Sequence, residues 1–261
     1  MSGSLTLRRP AGTDWVPLVP ALLLVLTAIA YPLTGGGARD AVSWTIVLLG
    51  SAVSGAHATV TRGARTGLAV LALVAVVAVL FEALGLSTGF PYGEYSYSDE
   101  LGPTLLGVPF LVPLAWLMMA WPSWVLAAWL APRSRAARVL VAAYVFAGWD
   151  VVLDPQMVQA GYWRWAHPSP GLPGIDTVPL TNLAGWLLAG LVLMTLLDVL
   201  VARVPARGGN GAPLLVLGWM TLGGALAHAG WLGLPGSAAW GALLAVPVVV
   251  AVVRRVRRVR R

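Results

Sequence analysis

The chain has 261 residues, of which 58% are hydrophobic and 10% are charged, whereas an average soluble domain carries roughly 25% charged residues. Apolar runs recur from end to end without a long polar stretch, so we predict one integral membrane domain over residues 1–261. The chain contains no cysteine and no lysine, which excludes disulfides, thiolate metal ligands and enzymes that form a lysine imine. The net charge of +7 comes from arginines beside apolar runs, which indicates contact with anionic lipid and not with nucleic acid.

Eight apolar runs are long enough to be transmembrane helices, since about 20 residues cross a bilayer. They cover residues 16–33, 42–60, 67–86, 104–131, 136–153, 179–201, 213–232 and 237–253. Arg8 and Arg9 precede the first run as in a signal peptide, but no convincing small-residue cleavage site follows, so we expect a retained helix. The fourth run contains Pro109, Pro113 and Pro122, which predicts a kinked or partly re-entrant segment. The predicted fold class is therefore an all-α, polytopic transmembrane bundle of about eight helices.

The arginines divide unequally between the two sides of this bundle. With the N-terminus inside, the short inner segments hold fifteen of the seventeen arginines, as cytoplasmic loops are enriched in Lys and Arg. These are Arg8, Arg9, Arg62, Arg65, Arg133, Arg135, Arg138, Arg203, Arg207 and the six arginines of residues 254–261. Arg39 and Arg164 fall outside. We predict a multi-pass protein of the cell membrane with both termini cytoplasmic and residues 254–261 as a basic cytoplasmic tail.

The two long outer connections, residues 87–103 and 154–178, differ from the inner ones. They are aromatic, acidic and rich in Gly and Pro, a composition typical of ordered turns. We expect these loops to cap the bundle.

Polar groups recur at one level near the outer ends of four predicted helices. Glu82, Asp150 and His228 each lie about one turn from such an end, and Asn182 opens the sixth helix. Because acids inside apolar helices are costly, each is a functional candidate. The layer predicts one polar pocket at the outer membrane boundary. The structural alternatives are that Glu82 and Asp150 bond loop backbone and that His228 packs against small residues.

Asp150 and Asp154 have the i, i+4 spacing that places side chains on one helix face. Two carboxyls in a site of low dielectric do not ionise together easily, so one serves as a general acid while the other accepts a proton. Pro155 disfavours the helical conformation at Asp154, so one alternative is that the fifth helix ends there. We expect His57 and Asp198, near the inner ends, to face loops or lipid headgroups, and most tryptophans to form an interfacial belt.

No metal or phosphate motif is convincing. The three histidines are far apart in the sequence, and Gly35, Gly36 and Gly37 have neither a following lysine nor a strand context. We expect no metal site.

Two blocks of the chain resemble the membrane carotenoid biosynthesis protein family. The first holds Phe90, Pro91, Tyr92, Gly93, Glu94, Tyr95, Ser96, Tyr97, Leu101, Gly102, Pro103, Gly107, Val108, Pro109, Pro113, Leu114, Ala115 and Trp116. The second holds Trp149, Asp150, Leu153, Asp154, Pro155, Met157, Trp163, Trp165, Pro179, Asn182, Gly185 and Trp186. The resemblance is strong over about residues 81–190 and rests on hydropathy elsewhere.

The resemblance implies a cofactor-independent hydratase that adds water to the terminal, acyclic C1,C2 double bond of a carotenoid such as lycopene, gamma-carotene or a C50 precursor. The implied partners are the lipophilic carotenoid, water and membrane lipid, with contact to other carotenoid biosynthesis enzymes left open. Two alternatives stand beside this reading: a membrane carrier of a lipophilic molecule, and a structural subunit of a carotenoid enzyme complex.

The implied chemistry assigns roles to the polar layer. Protonating a trisubstituted alkene needs a carboxylic acid in a dry pocket, a nearby water, and electron-rich rings that stabilise a cation. The candidate acids are Asp150, Asp154 and Glu82, and Glu94 or Asn182 is placed to orient the water. The substrate-binding candidates are completed by Tyr92, Tyr95, Trp149, Trp163, Trp165 and His228.

Overall fold

The computed structural model describes residues 14–260, so the predicted cytoplasmic residues Arg8, Arg9 and Arg261 lie outside it. The helices are α1 (Trp15–Ala30, followed by a 3₁₀ turn at Tyr31–Leu33), α2 (Gly36–Arg62), α3 (Ala64–Thr88), α4 (Leu111–Leu130), α5 (Arg135–Gln159), α6 (Leu180–Val201), α7 (Gly211–Gly218), α8 (Gly224–Gly230) and α9 (Pro235–Arg260). A π-helical turn at Trp219–Gly223 joins α7 to α8. Within the described range, eight helical segments are long and apolar enough to cross a membrane, as predicted, and α7 to α8 form the seventh.

The fourth span begins later than the apolar run predicted. Residues 104–110 contain a small hairpin of β2 (Thr104–Leu105) and β3 (Val108–Pro109), and α4 starts only at Leu111. Leu106 and Gly107 make the turn with φ angles of 55° and 81°, a conformation that a helix cannot contain. The prediction of a helix from residue 104 was therefore wrong, because apolar residues in a tight hairpin give the same hydropathy as a helix.

The fifth span ends later than predicted. Asp154 and Pro155 lie inside α5, which continues to Gln159, so the outer loop does not begin at residue 154. The local preference against a helical residue before proline is outweighed by packing, since Asp154, Pro155 and Met157 are all buried. The continued helix preserves the i, i+4 relation of Asp150 and Asp154.

Two strands connect the long loops at one end of the bundle. Strand β1 (Tyr95–Tyr97) pairs antiparallel with β4 (Trp163–Trp165), and together we call them the aromatic ribbon. Alternation along the strands directs the aromatic side chains toward the bundle, whereas Ser96 and Arg164 are exposed. We call this end, where α3 and α5 finish and α6 begins, the aromatic end. The opposite end, where α2 and α6 finish and α3, α5 and α7 begin, is the arginine end.

Helix α4 occupies the centre of the bundle and packs against α2, α3 and α5. Its tryptophans Trp116, Trp121 and Trp124 are almost completely buried. Apart from Trp149, Trp163 and Trp165, which were assigned to the site, five of the ten remaining tryptophans are buried in the interior, so the prediction of an interfacial belt was wrong for half of them. Composition alone does not separate a tryptophan at a lipid headgroup from one that fills a core.

Candidate active site

Two aspartates and one amide form a closed polar group between α5 and α6. The Nδ2 group of Asn182 donates hydrogen bonds to Asp150 Oδ2 at 2.8 Å and to Asp154 Oδ2 at 2.5 Å. All three side chains are at most 3% exposed, and the two carboxyls are within hydrogen-bonding reach of each other. Asp150 Oδ1 receives no N–H or O–H donor from the described residues, which leaves that oxygen available to hold a proton.

The third acid, Glu82, lies in the last turns of α3 and is held by the aromatic ribbon. Tyr95 and Tyr97 both donate their phenol protons to Glu82 Oε2, at 2.5 and 2.8 Å. Burial, reinforced by the neighbouring Glu82 charge, raises the pKa of both phenols well above its ordinary value. Both tyrosines are therefore hydrogen-bond donors at neutral pH, and Glu82 Oε2 is an acceptor.

Tyr92 stands between two helical glycines. A Cβ atom at Gly85 would lie 2.9 Å from Tyr92 Cδ2, and one at Gly185 would lie 2.6 Å from Tyr92 Cδ1. The missing side chains on α3 and α6 therefore make the slot for this ring. Its hydroxyl is buried without a hydrogen-bond partner among the described residues, and burial raises its pKa far above the ordinary value. It is a free donor inside the protein.

These groups border a cavity of about 460 Å³ at the aromatic end. Asp154, Glu82 and Asn182 line it, whereas Asp150, one helical turn before Asp154, does not. Most of the remaining wall is aromatic or aliphatic, including Tyr92, Tyr95, Trp149, Trp163 and Trp165. The structure thus brings eight of the predicted site residues, all lining the cavity, to one place, with Asp150 bonded to Asn182 beside them.

Trp186 was absent from the predicted site, yet its ring is central to the aromatic wall. It lies 5.1 Å from the Trp116 ring centre, 5.2 Å from Phe146 and 6.1 Å from Tyr92. Its position four residues after Asn182 was a usable signal, since that spacing places both on one face of α6.

A second polar group, also missed, lines the cavity from α2, α5 and the loop after α5. Tyr162 donates to Asp40 Oδ1 at 2.6 Å and lies 3.2 Å from Ser43 Oγ. Burial, with the Asp40 hydrogen bond, raises the pKa of Tyr162. Ser43, Tyr162 and Gln156 all line the cavity. No local sequence pattern links α2 to residue 162, so this group could not be found from spacing.

Besides Asp150, two predicted site residues lie away from the cavity wall, Glu94 and His228. The Glu94 side chain is 75% exposed and lies 4.0 Å from His167 Nε2, so the geometry favours Asn182 over Glu94 for holding a water. His228 is completely buried and contacts Gln156 Oε1 through Nε2 at 2.9 Å. It reaches the cavity through Gln156, which lines it.

His57 and Asp198, expected to face loops or headgroups, are both buried at the arginine end. Trp121 Nε1 donates to His57 Nδ1 at 3.0 Å, so the proton lies on His57 Nε2 and is donated to the Gly209 carbonyl at 3.1 Å. Asp198 accepts from Arg138 at 2.7 and 2.9 Å and from Trp124 at 3.1 Å. The prediction is confirmed for His57, whose partner Gly209 lies in the loop between α6 and α7. It was wrong for Asp198, because its partners come from α4 and α5, which periodicity along one helix does not identify.

Across the part of the chain that the structure describes, no three His, Cys, Asp or Glu side chains converge in a way that could hold a metal ion.

Comparisons with known proteins point to the same family as the two sequence blocks described above. The bisanhydrobacterioruberin hydratase of Haloarcula japonica is 36% identical over 158 residues, which are 59% of this chain. The match spans 51% of that relative's length, so the chain covers about half of it. No solved structure matches the chain. Residues 42–253 match the family model described as "Carotenoid biosynthesis protein", and with its eight apolar helices the chain is a multi-pass membrane member of the carotenoid biosynthesis protein family.

Proposed function

We propose that the chain is a hydratase that adds water across the terminal, acyclic C1,C2 double bond of a carotenoid in the cell membrane. The observation that carries the proposal is the pair of aspartates bridged by Asn182 at the wall of an otherwise apolar cavity. The hydratase named among the relatives supports the reaction class. Lycopene, gamma-carotene and a C50 precursor are the candidate substrates.

Asp154 is the proton donor in this proposal, because it lines the cavity and Asp150 does not. The aspartate pair retains one proton, since two carboxylates that share a single amide donor and little water repel each other. The C1,C2 π electrons take that proton at C2, and a tertiary cation forms at C1. The Asn182 amide, which donates to Asp154 Oδ2 at 2.5 Å, stabilises the Asp154 carboxylate that the transfer leaves behind.

The cation forms among rings and near a negative charge. The faces of Trp149, Trp163 and Trp165, which line the cavity, attract positive charge through their π systems. The Asp154 carboxylate that remains supplies the negative charge on this wall, and Glu82 Oε2, which accepts hydrogen bonds from two phenols, adds a further polar acceptor. An apolar wall also excludes bulk water, which strengthens the attraction between the rings and the cation.

The addition of water then completes the reaction, and no cofactor is consumed. Tyr92, whose buried hydroxyl has no partner among the described residues, and Asn182 are placed to hold the water. The water oxygen forms a bond to C1, and the proton that it loses returns to the aspartate pair. The product is a tertiary alcohol, and the acid is regenerated.

The decisive experiment is expression in a host that accumulates carotenoids with acyclic ends. We expect pigments heavier by one water and more polar, with the polyene absorption nearly unchanged because the hydrated bond lies outside the conjugation. Liquid chromatography with mass spectrometry measures both quantities.

Unchanged pigments from lycopene, gamma-carotene and a C50 precursor, with the protein verified in the membrane, would contradict the proposal. Movement of unaltered pigment between membranes would then identify a carrier. Pigment changes that need a second enzyme, and that persist when Asp154 is replaced by Asn, would identify a structural subunit.

A further inference from the structure

A second cavity, of about 320 Å³, lies nearer the arginine end among α4, α5, α7 and α9. Its wall is mainly aliphatic, with contributions from Leu126, Leu217, Leu244 and Val248. Two polar side chains in the wall are satisfied by backbone: Tyr144 donates to the Leu244 carbonyl at 2.9 Å, and Thr221 donates to the Leu217 carbonyl at 2.7 Å. The Trp129 Nε1–H, also in the wall, has no partner among the described residues. The cavity therefore suits an apolar occupant.

The two cavities follow one another along α5. The first contacts this helix from Trp149 to Met157, the second from Tyr144 to Val152, and Trp149 and Val152 line both. At 1.5 Å per residue, the lined stretch from Tyr144 to Met157 is about 20 Å long, roughly two-thirds of the 30 Å hydrocarbon core of a bilayer. A ligand that occupied both cavities would therefore be a long rod parallel to the spanning helices.

The wall between the cavities is built from small residues and a π-helical turn. Trp219, Met220 and Gly223 of that turn line the first cavity, whereas Thr221 and Leu222 line the second. A Cβ atom at Gly241 would lie 2.6 Å from Val152 Cγ2, and one at Gly224 would lie 3.1 Å from Val152 Cγ1. The glycines thus leave Val152 and Trp149 as the side chains that border both spaces.

We propose that the second cavity binds the polyene chain behind the reacting end, so that the carotenoid inserts end-on along the bilayer normal. This inference rests on the proposed hydratase function and deepens it, because it makes substrate length a determinant of recognition. A short isoprenoid would occupy the first cavity alone, whereas a full-length carotenoid would occupy both.

Gly218→Phe tests the inference, because Gly218 lines the second cavity and no atom lies within 4 Å of its added Cβ. The phenyl ring would fill the cavity without backbone strain. Gly55→Phe on α2 is the matched control, since Gly55 also has nothing within 4 Å and lines neither cavity. Each variant is assayed with lycopene and with a C15 isoprenoid that carries the same terminal alkene.

We expect Gly218→Phe to lower kcat/KM for lycopene by at least about tenfold, the loss of roughly two buried methylene contacts. The C15 reaction should be unchanged, and Gly55→Phe should leave both reactions unchanged. Lycopene that co-purifies with the detergent-solubilised protein, measured by its visible absorbance, should fall in parallel in Gly218→Phe. Should that variant fail to fold, Gly148→Leu fills the same cavity, since its added Cβ lies 3.9 Å from Leu244.

Normal lycopene turnover and binding by a folded cavity-filling variant would overturn the inference, as would an equal loss on both substrates. The binding measurement distinguishes a failure of the second-cavity inference from a failure of the proposed hydratase function. If the wild-type protein binds lycopene, Gly218→Phe does not, and no water is added by either, then the hydratase proposal fails while the second-cavity inference stands.

Discussion

Asp150 and Asp154 are identical carboxyls one turn apart on α5, yet only Asp154 lines the cavity. Asp150 contacts the same Asn182 amide. The arrangement separates a group that can touch the substrate from one that acts through its neighbour. It also makes the two residues unequal in any mutational test.

Replacement of Asp154 by Asn should lower kcat for hydration by about 10²–10⁴-fold, the usual contribution of a general acid. The amide keeps the shape of the side chain but cannot supply the proton. Asp150→Asn should lower kcat less and shift its pH profile, because it changes the proton affinity of Asp154 while leaving the wall intact. Turnover by purified protein in detergent or vesicles, from pH 5 to 9, measures both effects.

Glu94→Gln is the matched control for these variants, since it makes the same carboxyl-to-amide change at an exposed side chain. It should keep wild-type turnover. Near-normal turnover by both aspartate variants, together with loss in Glu82→Gln, would place the acid on α3 instead.

At the site, the sequence identifies the acids better than their surroundings. Asp150, Asp154, Glu82 and Asn182 stand out because polar residues are costly in apolar helices. Tyr97 and Tyr162 do not stand out, because each reaches the cavity from a loop. Their positions depend on the pairing of β1 with β4 and on contacts with α2, and short-range patterns contain no information about such contacts.

The helices at the arginine end are joined by a buried polar network. Arg138 of α5 bonds Asp198 of α6, which also accepts from Trp124 of α4. The Arg62 guanidinium of α2 lies 5.0 Å from the Trp124 ring centre, a distance at which cation and ring attract. The network fixes four helices relative to one another, at the end of the bundle opposite the aspartate pair.

Removing the Asp198 carboxylate should therefore destabilise the bundle without changing its chemistry. Asp198→Ala leaves Arg138 without its partner in a site where Asp198 is 2% exposed, and breaking a buried pair costs about 3–5 kcal/mol. Denaturant unfolding in detergent should register this loss, while turnover per folded molecule stays at the wild-type level. Asp176→Ala, at an exposed loop position, is the control. Equal stability of the two variants would show that the network contributes little.

Among the elements, the eight spans could be predicted and the strands could not. A run of about 20 apolar residues has few alternatives in a bilayer, so the helices follow from hydropathy. Strands β1 and β4 have three residues each and pair across a separation of more than sixty residues. Their alternating aromatic pattern is too short to distinguish from a loop. The start of α4 at Leu111 and the end of α5 at Gln159 were also misplaced. Proline and glycine indicate only the local backbone conformation and not the packing that sets where a helix begins or ends.

On the scale of the whole molecule, arginines gather at one end of the bundle. Arg62, Arg65, Arg135 and Arg138 lie at or beside the ends of α2, α3 and α5 there, whereas Arg164 lies in the aromatic ribbon. Cytoplasmic loops are enriched in such residues. We therefore propose that the arginine end faces the cytoplasm and the aromatic end faces outward.

Fusions of a topology reporter should test this orientation. A reporter enzyme that works only in the cytoplasm should be active when it is fused after Arg261. A reporter enzyme that works only outside the membrane should be active when it is inserted after Asp99, in the loop before α4. The bias of Lys and Arg toward the inside is the physical reason for the expectation. An external reading after Arg261 would contradict the arrangement with an even number of spans.

Acidic side chains border the first cavity, whereas the second has neither Asp nor Glu in its wall within the described residues. A binding site made of both cavities, as proposed, therefore has a direction, and a carotenoid with two identical ends presents only one of them to the acids at a time. To react at its other end, the molecule must leave, reverse in the lipid and return. The singly hydrated pigment then behaves as a released intermediate that competes with fresh substrate for the same opening. Its abundance should rise before the doubly hydrated product appears, and should rise further when substrate is in excess.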